Sequence, residues 1–126
     1  MSIFDLHHVS LIVSDTARST AFYCDLLSLT VDTSRPDLGF PGAWININAG
    51  QQIHLLELPN PEAGLARPAH GGRDRHLALR CHDLDTIAQR LENAGIPFSR
   101  SKSGRKALFC RDPDNNAIEI MQHAPE

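Results

Sequence analysis

The sequence predicts an α+β fold of two tandem βαβββ modules. Their strands form a curved mixed sheet lining a cup, and their helices lie on its outer face. Three observations carry this expectation. The chain repeats itself once: Asp15 and Asp83 each stand seven residues after an aligned histidine, His8 and His76. Within the strand-like runs, apolar and polar residues alternate with a period of two. Each repeat also opens in the same order, a strand followed by a capped, helix-permissive stretch. Modules of about 60 residues are too small to build a good core alone and are expected to pack together.

The elements follow in order. The run from His7 to Val13 is rich in β-branched and aliphatic residues and reads as a strand. Ser14 and Asp15 are candidate N-caps for a helix from Thr16 to about Leu27. Residues 29–33, 43–48 and 51–58 read as three short strands, with a Pro/Gly-containing loop over 34–42 and a tight turn at Ala49-Gly50. The second repeat begins with a strand at His76–Cys81. Asp83 caps a helix whose Leu84, Ile87, Ala88 and Leu91 fall on one face. Gly95 and then Pro97 mark its end. Strands follow at 96–101, 105–111 and 117–122, the last two separated by the turn Asp112-Pro113-Asp114-Asn115-Asn116. Module 1 thus spans about residues 1–58, a Pro- and Gly-rich linker 59–74, and module 2 about 75–126, together one domain.

Composition narrows the function. Of the 126 residues, 41% are hydrophobic and 21% charged, which excludes disordered and collagen-like classes. Twelve basic against fifteen acidic residues, a formal charge of −3, give no cationic face for nucleic acid. No apolar run approaches the length of a membrane span, and the N-terminus lacks the basic-then-apolar pattern of a signal peptide. Cys24, Cys81 and Cys110 are odd in number and widely spaced, so a reducing cytoplasm is expected rather than a disulfide framework.

Seven histidines stand out in so short a chain. Val9, Leu11 and Val13 alternate with His8 and Ser10; Leu77, Leu79 and Cys81 alternate with His76 and Ala78. The last strand of each module presents one chelating side chain between two aliphatic ones, Ile53-His54-Leu55 and Ile118-Glu119-Ile120. Pseudo-symmetry therefore places His8, His54, His76 and Glu119 on the inner face, a first shell for a divalent transition metal. His7 is expected on the face opposite His8, while His70, His82 and His123 fall near loops or strand ends.

These residues carry a family resemblance. The segments His8-Val9-Ser10-Leu11-Ile12-Val13-Ser14-Asp15, Ala21-Phe22-Tyr23-Cys24-Asp25-Leu26-Leu27 and Phe109–Glu119, with its Asp112-Pro113-Asp114-Asn115-Asn116 turn, resemble the vicinal oxygen chelate superfamily. That superfamily holds glyoxalase I, the fosfomycin- and bleomycin-resistance proteins, methylmalonyl-CoA epimerase and the extradiol dioxygenases. The resemblance implies metal ligands on the first and last strand of each module, which are His8, His54, His76 and Glu119. It also implies one ion of Zn, Ni, Co, Mn or Fe, chelated by vicinal oxygens of a small substrate. Isomerisation or lyase chemistry is expected, with Glu119 as ligand and base, because His54 stands where a glyoxalase I places a glutamate. A ring-cleaving dioxygenase built on His8, His76 and Glu119, and a bleomycin-resistance-like binding protein, are the alternatives. Arg35, Trp44, Asn46, Arg80 and Arg105 are candidate substrate contacts, the guanidiniums suiting an anionic ligand. A homodimer is expected, since the edge strands of an open sheet favour pairing.

Overall fold

A computed structural model describes residues 2–124, and the chain divides into two compact units between Ala63 and Gly64. Each unit carries its own four-stranded mixed sheet. The α+β class and the two-module order are as the sequence predicts. In hydrogen-bonding terms, however, the strands make two four-stranded ladders rather than one continuous sheet.

In the first unit, β1 (His8–Val13) runs parallel to β4 (Gln52–Glu57), which pairs antiparallel with β3 (Gly42–Asn46), and β3 with β2 (Thr30–Asp32). Helix α1 (Thr16–Ala21) begins where the sequence places it, because the Asp15 carboxylate accepts the Arg18 amide. It continues as a π-helical turn over Phe22–Leu26, with the Leu27 amide donating to the Phe22 carbonyl. That wider turn seats Phe22 and Tyr23 in a core with Val13, Leu27, Ala43, Ile45, Ile53 and Leu55. Ser28, at φ 63°, then turns the chain, so β2 starts later than periodicity alone suggests.

The second unit repeats the plan. Strand β5 (His76–Cys81) is parallel to β8 (Ala117–Gln122), followed by β7 (Ala107–Arg111) and β6 (Phe98–Arg100). Asp83 caps α2 (Leu84–Asn93) through the Thr86 amide and hydroxyl. Gly95, at φ 71°, closes α2 with the paired bonds of a Schellman motif, Ile96 to Leu91 and Gly95 to Glu92. This cap consumes Ile96 and delays β6 to Phe98. Similarly, the turn around Gly104 delays β7 to Ala107.

The internal repeat extends to hydrogen bonds that the sequence alone does not announce. Glu57, near the end of β4, accepts the Thr16 amide at 2.8 Å, and Gln122, at the end of β8, accepts the Leu84 amide at 2.9 Å. In both units the last strand therefore satisfies an orphan donor at the start of the helix. Glu57 is thereby turned away from His54, as strand alternation predicts.

The segment 64–74 is held to its own unit by one acid. Asp74, 7% exposed, accepts from Arg111 at 2.8 Å and lies 3.2 Å from Arg67. The hydrogen bond from Arg111 is the main reason its carboxyl sits below the usual aspartate range. Arg111 also donates to the Pro68 and Asn115 carbonyls. Among the described residues, no helix is long and apolar enough to cross a membrane.

Candidate functional site

In the second unit, Glu119 sits mid-strand in β8, in register with Ala78 of β5 and Phe109 of β7. It is only 3% exposed, so its charge needs partners. Oε2 accepts from Arg105 Nη2 at 3.2 Å, and Oε1 lies 3.2 Å from His76 Nε2. The Nδ1 of His76 is 2.8 Å from the Asp74 carbonyl, which can only accept, so Nδ1 carries a hydrogen. In the neutral imidazole the lone pair is then on Nε2, aimed at a carboxylate oxygen. Two acceptors in that arrangement call for a cation between them, a proton or a metal. Two donors each about 2.1 Å from one ion stand about 3.0–3.4 Å apart at octahedral to tetrahedral angles, so this pair fits a divalent metal. The carbonyl of Asp74 is the outer-shell group that sets the tautomer.

In the first unit, His54 lies directly opposite Trp44 across the β3–β4 pair, and His8 is on the diagonal. The three rings stack in a column: His8 on His54 at 3.9 Å and 13°, His54 on Trp44 at 4.8 Å and 14°. Burial, and next the nearby charge of His8, pushes the His54 imidazole below its ordinary pKa. It is therefore neutral at pH 7, the form that binds metals. Gln52 fixes its tautomer. The Gln52 amide nitrogen donates to Asp32 Oδ2 at 2.8 Å and to Asn46 Oδ1 at 2.9 Å, so its oxygen must be the atom 2.8 Å from His54 Nε2. His54 thus donates from Nε2, and its lone pair is on Nδ1. Asp32, which anchors this chain, is held below the usual aspartate range chiefly by the Ser34 hydroxyl.

Each unit therefore supplies a donor pair, His8 with His54 and His76 with Glu119. Within either unit, among the described residues, no three His, Cys, Asp or Glu side chains converge on one point. Face-to-face stacking in the first pair keeps the in-plane lone pairs of His8 and His54 from meeting at a shared atom.

His7 precedes β1, so strand alternation does not govern it, and its Nδ1 lies 2.8 Å from His8 Nδ1. It belongs beside the imidazole column, not on the opposite face. His70 caps the turn Gly71–Arg73 through the Gly72 amide and rests against Phe109, while His82 and His123 meet edge to face. Trp44 and Asn46 flank His54 directly and through Gln52. Arg105 reaches Glu119, and Arg80 is exposed on β5, four residues along from His76. Reading the sequence missed Gln52, and it did not foresee that the Phe109 ring lies edge-on to His76 at 5.5 Å. Period-two spacing on their strands, two residues before His54 and opposite Glu119, is the signal that could have found them.

Residues 5–120 match the Glyoxalase/Bleomycin resistance protein/Dioxygenase superfamily, and the chain belongs to that family. It is similar to "Glyoxylase I 4" of Arabidopsis thaliana, 32% identical over 95% of this chain and 71% of that protein. Glutathione transferase FosA of Serratia marcescens is 28% identical over 91% of this chain and 78% of its own length. The solved structure of TnmS3, an antibiotic binding protein from Streptomyces sp. CB03234, shares the fold. Its TM-score is 0.73 at 20% identity, over 98% of this chain and 99% of that one.

Proposed function

We propose that this protein is a metal-dependent enzyme of the glyoxalase-like class, acting on a small anionic, oxygenated substrate by isomerisation or lyase chemistry. The observation that carries the reading is the buried Glu119 carboxylate facing the Nε2 lone pair of His76. In this reading His76 and Glu119 are ligands of one divalent ion of Zn, Ni, Co, Mn or Fe; His8 and His54, stacked face to face here, would join them only once their rings part. When bound, that ion supplies charge stabilisation at two neighbouring substrate oxygens.

The chain's own residues do the rest. Glu119 would take a proton from the substrate carbon that bears the hydroxyl and return it to the adjacent carbonyl carbon while the hydroxyl proton passes to the carbonyl oxygen, so nothing is oxidised or reduced overall. Arg105 orients that carboxylate from Oε2, leaving Oε1 on the His76 side. Asp74 and Gln52 hold His76 and His54 in their tautomers. Trp44, Asn46 and Arg80 are substrate contacts in the same proposal. So are a homodimer, supported by the open edges of both sheets, and a cytoplasmic setting, supported by three unpaired cysteines.

One observation favours a second reading, a ligand-binding protein. Both Glu119 oxygens already have partners, and a structural ion pair of that kind needs no metal. Proton exchange separates the two. Metal-loaded protein is incubated in D2O with a panel of α-hydroxy aldehydes and α-hydroxy ketones that carry a carboxylate or phosphate, and followed by NMR. An enzyme washes deuterium into a carbon that bears one of the two vicinal oxygens, and Glu119→Gln stops it. Saturable binding without exchange for any of the panel favours the binder.

A further inference from the structure

We propose that Arg35, seated on Gly42 and held by Phe40, is the anchor for an anionic group, a carboxylate or a phosphate, beside His54. This deepens the reading of an anionic substrate and rests on it for the ligand's role, not for the binding itself.

The Leu55 carbonyl makes position 42 a glycine, and Arg35 Nη2 rests beside it, 2.9 Å from where a side chain would begin. Gly42 shares its strand face with Trp44 and Asn46, the residues that flank His54 directly and through Gln52. Two further contacts hold Arg35 in place. Its Nη2 donates to the Phe40 carbonyl at 3.0 Å, and its central carbon lies 5.3 Å from the centre of the Phe40 ring. The loop from residue 34 to 41 is thereby folded back on a half-buried cation.

Charge supplies the second half. Among the described residues, no carboxylate pairs with Arg35. Among the described residues, Arg105 has Glu119, and Arg111 and Arg67 share Asp74, whereas the exposed Arg80, like Arg35, has no such acid. A cation withdrawn from water is costly unless it is paired. Arg35 spends one N–H on Phe40 and keeps four, enough for a two-pronged grip on an oxyanion. Toward the imidazole column stand Trp44 and His54, and the acid whose charge reaches that column, Asp32, is bonded to Ser34 and Gln52 instead of Arg35. Arg35 is thus the half-buried candidate arginine without an acid, available to a ligand's anion, whereas Arg105 reaches Glu119.

Trp44 is the chain's single tryptophan and stacks on His54, so its emission reports on this place. The test is a fluorescence titration of the full-length protein with inorganic phosphate and, separately, acetate, before and after chelator treatment. The proposal expects saturable quenching or enhancement by at least one anion, with the midpoint raised roughly tenfold or more in Arg35→Gln. Arg35→Lys, which keeps the charge without the fork, falls between. Whichever anion binds more tightly identifies the group. Overlapping curves for wild type and Arg35→Gln, or no saturation with either anion, would overturn the assignment. Circular dichroism checks that each variant is folded, and Arg35→Lys keeps the test decisive if Arg35→Gln is not. Loss of metal uptake with the anion response intact would instead count against the enzyme reading alone.

Discussion

Glu119→Gln is expected to weaken divalent-metal binding by more than about a hundredfold, because even outer-shell partners of a metal cost roughly 10- to 100-fold when removed. The substitution keeps the volume of a side chain that is 3% exposed and removes only its charge. An amide no longer offers His76 Nε2 an anionic neighbour at 3.2 Å, and Arg105 loses its counter-ion. Calorimetric titration with Zn2+ or Co2+ reads the effect. Unchanged metal affinity would mean that Glu119 serves only as the buried half of an ion pair. An unchanged circular dichroism spectrum of the same variant is the check that its fold persists.

The second large effect lies in the core. Leu91→Ala is expected to cost about 2–5 kcal/mol, a large share of the roughly 5–15 kcal/mol that holds a domain together. Leu91 is fully buried on α2 beside Leu84, Ile87 and Ala88, and its carbonyl closes the Schellman cap at Ile96. Truncation leaves a cavity under the helix that its short, capped ends resist closing. The thermal midpoint should fall by roughly 10 °C. A loss below about 1 kcal/mol in urea unfolding would show that α2 contributes little to the core of the second unit.

Much of this was legible in the residues. Two repeats, the Asp caps and the Gly95 stop were fixed by local chemistry, because a cap is a contact between residues three apart and a left-handed φ falls to glycine. The donor pairs were legible because period two puts His8 and His54 on one face of β1 and β4, and His76 and Glu119 on one face of β5 and β8. Strand starts were less so. The π-helical turn at Phe22–Leu26 and the cap at Ile96 each consumed residues that read as strand. What spacing could not show was orientation. His7 joined the imidazole column because it lies before the strand whose alternation would have turned it away. The tautomers of His54 and His76 depend on Gln52 and on a backbone carbonyl at Asp74, and a carbonyl leaves no mark in a sequence.

The difference between Arg35 and Arg105 is of the same kind. Both read as cations near the candidate donors, yet one rests on a glycine without an acid and the other on Glu119. Only their partners separate a ligand-binding role from a positioning one.

Binding of a metal through Glu119 and His76 is tested most directly by elemental analysis of untagged protein freed of loosely held ions. The account predicts about one equivalent of a single divalent metal per chain, lost in Glu119→Ala. Wild-type protein that carries no metal and takes none up on titration would contradict it.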